Sequence, residues 1–172
     1  MLVLYTNEEP PYFKTPQMGS QVHAKALAAQ GTRVVAMLSL ETMGYYSDVA
    51  GSQKYPWPLS LLYPSEGNFI AFVGATGDLG LVRTVVRSFR SHTSFPSEGI
   101  AAPRFIPGVD YSDHAAYIDA GYPALMVTDT APYRYPHYHS SQDTPDKVDF
   151  ERLARVVSGV ERVVTELARQ AP

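Results

Sequence analysis

The chain contains no cysteine. That excludes a disulfide scaffold, a thiolate metal site and a cysteine nucleophile. It also lacks any run of basic residues: 14 Lys+Arg stand against 17 Asp+Glu, for a formal charge of -3. A nucleic-acid partner is therefore not expected. No apolar run is long enough to span a bilayer, so no membrane partner is expected, and no signal-peptide pattern opens the chain. The compartment stays open. A Gly-x-Ser-x-Gly elbow is missing, which removes the ordinary α/β-hydrolase serine site. The adjacent Ser112-Asp113-His114 hold the three triad residue types, but neighbours in sequence cannot converge as a triad must. Gly74 to Asp78 is only a loop ahead of a helix, not a phosphate-binding fingerprint.

What remains is a chain of 172 residues with 45% hydrophobic and 18% charged residues, suited to one globular domain. Tyrosine (12) and proline (14) are plentiful. They gather in irregular stretches such as Tyr55-Pro56-Trp57-Pro58 and Tyr133 to His139. Proline fixes the backbone and tyrosine supplies area with a polar tip, so ordered aromatic loops are expected. Tyr55 and Trp57 are candidates for a pocket wall or for core cover.

Four apolar runs read as strands buried on both faces: Leu2 to Tyr5, Arg33 to Leu40, Asn68 to Val73 and Ala124 to Thr128. Helices are expected from Ser20 to Gln30, from an Asp78 cap to about Arg90, and from a Ser112 cap to Gly121. A last helix begins at an Asp149 cap. Its expected stripe is Phe150, Leu153, Val157, Val160, Val163, Val164 and Leu167. The stretch Thr42 to Gly67 is an irregular loop. This order predicts an α/β layered sheet.

Sites in such sheets gather beyond the carboxyl ends of parallel strands. Glu8-Glu9, Glu41 and His139 each follow a predicted strand. Carboxylate and imidazole are the zinc ligands left when cysteine is absent, and a free carboxylate beside them can act as general base. Each has a plainer reading as a solvated turn or a packing residue; their coincidence at three strand ends is what suggests a centre.

The stretches Asn7 to Phe13, Leu40 to Asp48, Ser112-Asp113-His114, Gly121 to Met126 and Tyr138 to Thr144 resemble the M28 family of zinc peptidases, whose best-known members are aminopeptidases. The resemblance implies a three-layer α/β sandwich with a mostly parallel, mixed sheet, of the phosphorylase/hydrolase-like zinc-exopeptidase kind. It implies Glu8 as the base that activates water and Tyr138 as an oxyanion donor. It implies Glu9, Glu41 and His139 as zinc ligands. The substrate would be a peptide or a small amide or ester.

Family members also carry a His-x-Asp motif and a bridging Asp ahead of the Glu-Glu element. None of His23, His92, His114, His137 and His139 has Asp two positions on. The expectation is thus an N-terminally truncated domain over 1–172, holding one zinc rather than two, or none. Its exposed sheet edge would be covered in a homo-oligomer. The alternative is an inactive homologue or fragment that only folds and associates.

Overall fold

The computed structural model describes residues 1–169; the expected domain of 1–172 runs three residues past them. Two strands show why the sheet forms. Ile70–Ala75 (β2) and Ala124–Thr128 (β4) are buried at every position, as near-continuous apolar runs covered on both faces must be. With Met37–Glu41 (β1) and Ser97–Ala102 (β3) they make a four-stranded sheet in the order β1-β4-β2-β3. The pairs β1/β4 and β2/β3 are parallel; β2 and β4 are antiparallel. The sheet is mixed and the fold is α/β, as expected.

One face packs against Leu79–His92 (α2) and Phe150–Arg169 (α5). Ile70, Phe72, Leu125 and Val127 from the sheet meet Val82, Val85 and Phe89 of α2 and Val156, Val160 and Val163 of α5. The helices lie close because Gly159 faces Phe89, where a Cβ would overlap the ring. The opposite face carries Ala71, Val73 and Met126, packed with Phe69 and Val109. On that side His114–Asp119 (α3) contacts β1 and β4, and Gly19–Ala29 (α1) packs on α3. Ala131–Arg134 (α4) is a single turn after β4.

Several expectations need correction. Leu2 to Tyr5 is not a strand: Leu2 and Leu4 are 94% and 99% exposed. No strand of the described residues lies beside it, and an apolar run without a ladder partner stays extended coil. β1 starts at Met37, not Arg33. Its ladder begins where Met37 donates to Pro123 O, and Pro123 has no amide to extend pairing further back. β3 lies in a stretch where the apolar runs predict no strand. Its sequence, Ser-Glu-Gly-Ile-Ala-Ala, has one β-branched residue, and pairing along β2 overrides that weak propensity.

The α5 stripe is also narrower than expected. Val156 is buried, while Phe150, Val157 and Val164 are exposed, because α5 covers little beyond α2. Asp149 does cap α5, accepting from Arg152 N at 2.9 Å. Asp78 instead accepts from Ala124 N, and Asp113 rather than Ser112 precedes α3.

His114 is fully buried at the start of α3. Its Nε2 donates to Val109 O at 2.8 Å, and Nδ1 has no partner. Burial pushes the imidazole down to about 4. The fold therefore favours the neutral ring. This stability is intact above the unfolded value of about 6.5 and is lost as pH falls toward about 4. His114 should thus cost the fold about 3 kcal/mol across that window. Urea titrations of wild type and His114→Gln at pH 7 and pH 4 should show a shallower acid loss in the variant.

Candidate functional site

The ends of β1 and β4 are tied together beyond the sheet. Asp129 N donates to Thr42 O at 2.8 Å, and Asp129 Oδ2 accepts from Tyr45 N at 2.8 Å. This cross-tie places Glu41, the last residue of β1, opposite Thr128 in the register. Glu8 and Glu9 arrive on a turn in which Tyr12 and Phe13 donate to Glu9 O. The turn is anchored by Gly19 N donating to Thr6 O and by Asn7 Nδ2 donating to Gln17 O. So the correction at Leu2 to Tyr5 leaves the delivery of Glu8 intact, by turn rather than by strand. Tyr138 and His139 stack with centroids 3.9 Å apart, and Asp143 accepts from Tyr135 OH within the same loop.

His139 Nε2 lies 3.5 Å from Glu9 Oε1. Glu8 and Glu41 do not touch that pair but share its field. Burial, then the charges of Glu41, Asp113 and Glu9, push Glu8 up to about 7. Burial foremost also raises Glu41, opposed by the Ser112 hydroxyl and reinforced by Glu9, Asp113 and Asp129. Tyr138 is pushed up to about 12 by burial and then by Glu41, Glu9 and Glu8. The five side chains therefore occupy one acidic neighbourhood. Asn7, Thr42 and His139, each in or beside it, have φ of 60°, 39° and 54°. Left-handed backbone at non-glycine residues is costly and clusters at functional sites.

Two donors on one tetrahedral zinc stand about 3.3 Å apart, so the Glu9–His139 separation suits a shared ion. A closed site needs more. Among the described residues no three His, Asp or Glu side chains converge as a metal-holding group. The donors present fit part of a zinc shell and not a whole one.

Beside Glu41 and Tyr138 opens a cavity of about 90 Å³ over the Ala71 face of the sheet. Tyr55, Tyr63 and Tyr133 form its walls, so the Thr42 to Gly67 stretch serves as a covering loop. Trp57 takes no part and is 84% exposed. Sequence reasoning passed over Glu98, which lines this cavity, and Arg134, which braces it. Glu98 was hidden in the unrecognised β3; a lone arginine after Pro-Tyr carried no signal.

Arg134 is buried, donates to Gln53 Oε1 and Phe69 O at 2.8 Å each, and stacks over Phe69. Its stem passes over Gly67, where a Cβ would come within 2.9 Å.

With this geometry in view, comparison with known proteins defines the class. The model of peptidase family M28 matches residues 1–164, and the chain belongs to that family. It is 45% identical over 160 residues to the uncharacterized protein YfbL of Escherichia coli K12, covering 92% of this chain and 49% of that protein. A probable leucine aminopeptidase of Arthroderma otae is 40% identical over 63 residues, covering 36% of this chain and 17% of that one. Among solved structures, LapA of Legionella pneumophila superposes with a TM-score of 0.66 at 19% identity, over 87% of this chain and 36% of that chain. The aminopeptidase of Aneurinibacillus sp. strain AM-1 gives 0.58 at 24%, over 87% and 30%. These likenesses show a shared fold. The chain spans about half the length of YfbL and about a third of each solved structure.

Removing Arg134 would orphan the buried Phe69 carbonyl, leave Gln53 Oε1 with Thr130 Oγ1 as its donor, and strip Asp129 of a nearby cation. Arg134→Ala should cost about 3 kcal/mol, read as a lower urea midpoint at unchanged slope.

Proposed function

We propose that this domain serves the hydrolysis of an amide bond next to a free amino terminus. The observation that supports this best is the acidic neighbourhood shared by Glu8, Glu41 and Tyr138, beside a cavity that Glu41 and Tyr138 line. Glu8 takes a proton from the attacking water and passes it to the departing amine as the C–N bond breaks; burial first, then the neighbouring carboxylates, raise its proton affinity to suit that task. Tyr138, kept protonated by burial and then by the same charges, donates to the oxyanion. The negative field attracts the α-ammonium of a peptide. Without a cysteine or a serine elbow, water rather than a side chain attacks. Activated esters, whose leaving groups need less help, would pass through the same steps.

Glu9 and His139 are the two side chains we assign to one zinc ion; Glu41, at the pocket mouth, does not converge with them. No step of the hydrolysis is assigned to the ion, since these donors make only part of its shell.

The test is hydrolysis of aminoacyl p-nitroanilides and p-nitrophenyl esters, with and without chelator. Glu8→Gln should lower kcat by about 10²–10⁴ and Tyr138→Phe by about 10². Turnover indifferent to Glu8→Gln overturns the assignment of the base. Absence of turnover under every condition supports the alternative, a domain that folds and associates without catalysis. The partial donor set is what favours that second reading.

Association itself is part of the proposal. Met1, Leu2 and Leu4 are almost wholly exposed, and β1 ends the described sheet with one side unpaired. A second copy covering this edge would bury both. Light scattering at micromolar concentration should give a mass above 18.9 kDa, falling when Leu2 and Leu4 are both replaced by Lys. A monomer throughout contradicts it.

A further inference from the structure

The register places four residues in one straight row across the sheet. Glu41 lies opposite Thr128, Thr128 opposite Ala71, and Ala71 opposite Glu98. All four line the same cavity. Three strand spacings separate the two glutamates, about 14 Å from backbone to backbone. Between them the floor is Thr128 and Ala71, side chains short enough to leave the row open.

The cavity is apolar apart from its ends. Glu41 and Glu98 are the charged side chains among the residues that line it. The wall hydroxyls are already committed to carbonyls: Tyr55 to Pro64 O, Tyr63 to Gly99 O and Tyr133 to Pro107 O. None donates to Glu98. Its one counter-charge is Arg90, whose Nη2 stands 3.8 Å away, too far for a hydrogen bond. Arg90 is itself held at the strand, Nε donating to Ser97 Oγ at 3.0 Å. The Glu98 side chain is 32% exposed and, among the described residues, receives no hydrogen bond, so water meets it until a cation entering the aromatic cavity takes that place. The raised proton affinity of Glu98, caused by burial and only partly offset by Arg90, agrees with that environment.

We propose that Glu98 selects substrates whose amino-terminal residue has a long aliphatic side chain ending in a cation, as in lysine or arginine. This rests on the hydrolytic reading above for the seat of the α-ammonium, near Glu8 and Glu41. The aliphatic stem crosses the Ala71 floor between the tyrosines, and the terminal cation meets Glu98. An uncharged side chain of equal length fills the same channel but leaves the carboxylate unsatisfied. Glu98 is thus a specificity-determining residue and takes no part in bond cleavage.

The experiment separates selection from catalysis. Lysinamide and norleucinamide, which differ by the terminal ammonium, are titrated into the protein and followed by NMR. Lysinamide should bind about 10-fold tighter at low salt, and the isosteric Glu98→Gln should abolish the preference. Arg90→Gln, which removes the competing guanidinium, should widen it. Equal affinities in the wild type, no detectable binding of either amide, or a preference that survives Glu98→Gln would each overturn the inference. Lysyl and norleucyl p-nitroanilides are assayed alongside. Hydrolysis without a binding preference leaves the catalytic reading standing and removes this one. A Glu98-dependent binding preference without hydrolysis does the reverse.

Discussion

The acidic pocket depends on the tie between the loops that leave β1 and β4. Asp129 joins them twice, through its own amide to Thr42 and through its carboxylate to Tyr45. Asp129 is 2% exposed, so its carboxylate gives up water and needs these partners and the nearby charge of Arg134. Because Arg134 also grips Gln53 and the Phe69 carbonyl, one buried acid–base neighbourhood sets the end of β1, the cavity wall and the entry to β2. Glu41 has its place as a result of that bracing.

The consequence for chemistry is electrostatic. Glu8, Glu9, Glu41 and Asp113 share one acidic region, and among the described residues the basic side chain paired with them is His139, 3.5 Å from Glu9. Like charges at short range raise proton affinity in a poorly solvated setting. A region of this kind carries an unmet demand for positive charge, which an ammonium group, a proton or a metal ion can each supply. Membership of peptidase family M28 is consistent with that demand, and the partial donor set at Glu9 and His139 shows how little of it the described residues meet on their own.

Much of this was legible before any coordinates. The runs that became β2 and β4 are apolar at nearly every position, which is what burial on both faces requires, and Asp149 announced the start of α5. Glu8, Glu9, Glu41 and His139 stood out because acid and imidazole types recur at segment ends, whereas Tyr138 came only with the family resemblance. What was hidden depends on partners far along the chain. The β3 segment is a strand only because β2 offers it a ladder, and Leu2 to Tyr5 is not one for want of such an offer. Arg134 and Glu98 gain their meaning from cavities, and cavities have no signature in composition. The narrow stripe of α5 likewise follows from how little surface α2 leaves for it to cover.

The antiparallel junction between β4 and β2 divides the molecule in an unexpected way. Glu41 and Thr128 close their strands, whereas Ala71 and Glu98 lie near the beginnings of theirs. Glu41 therefore stands at the outgoing end of its strand and Glu98 near the incoming end of its own, on opposite sides of the junction. The stretch ahead of β3 bears on the Glu98 end alone, whereas the stretch ahead of β2 is also the loop that leaves Glu41. A change of strand direction thus sets the two carboxylates of one cavity on separate stretches of chain.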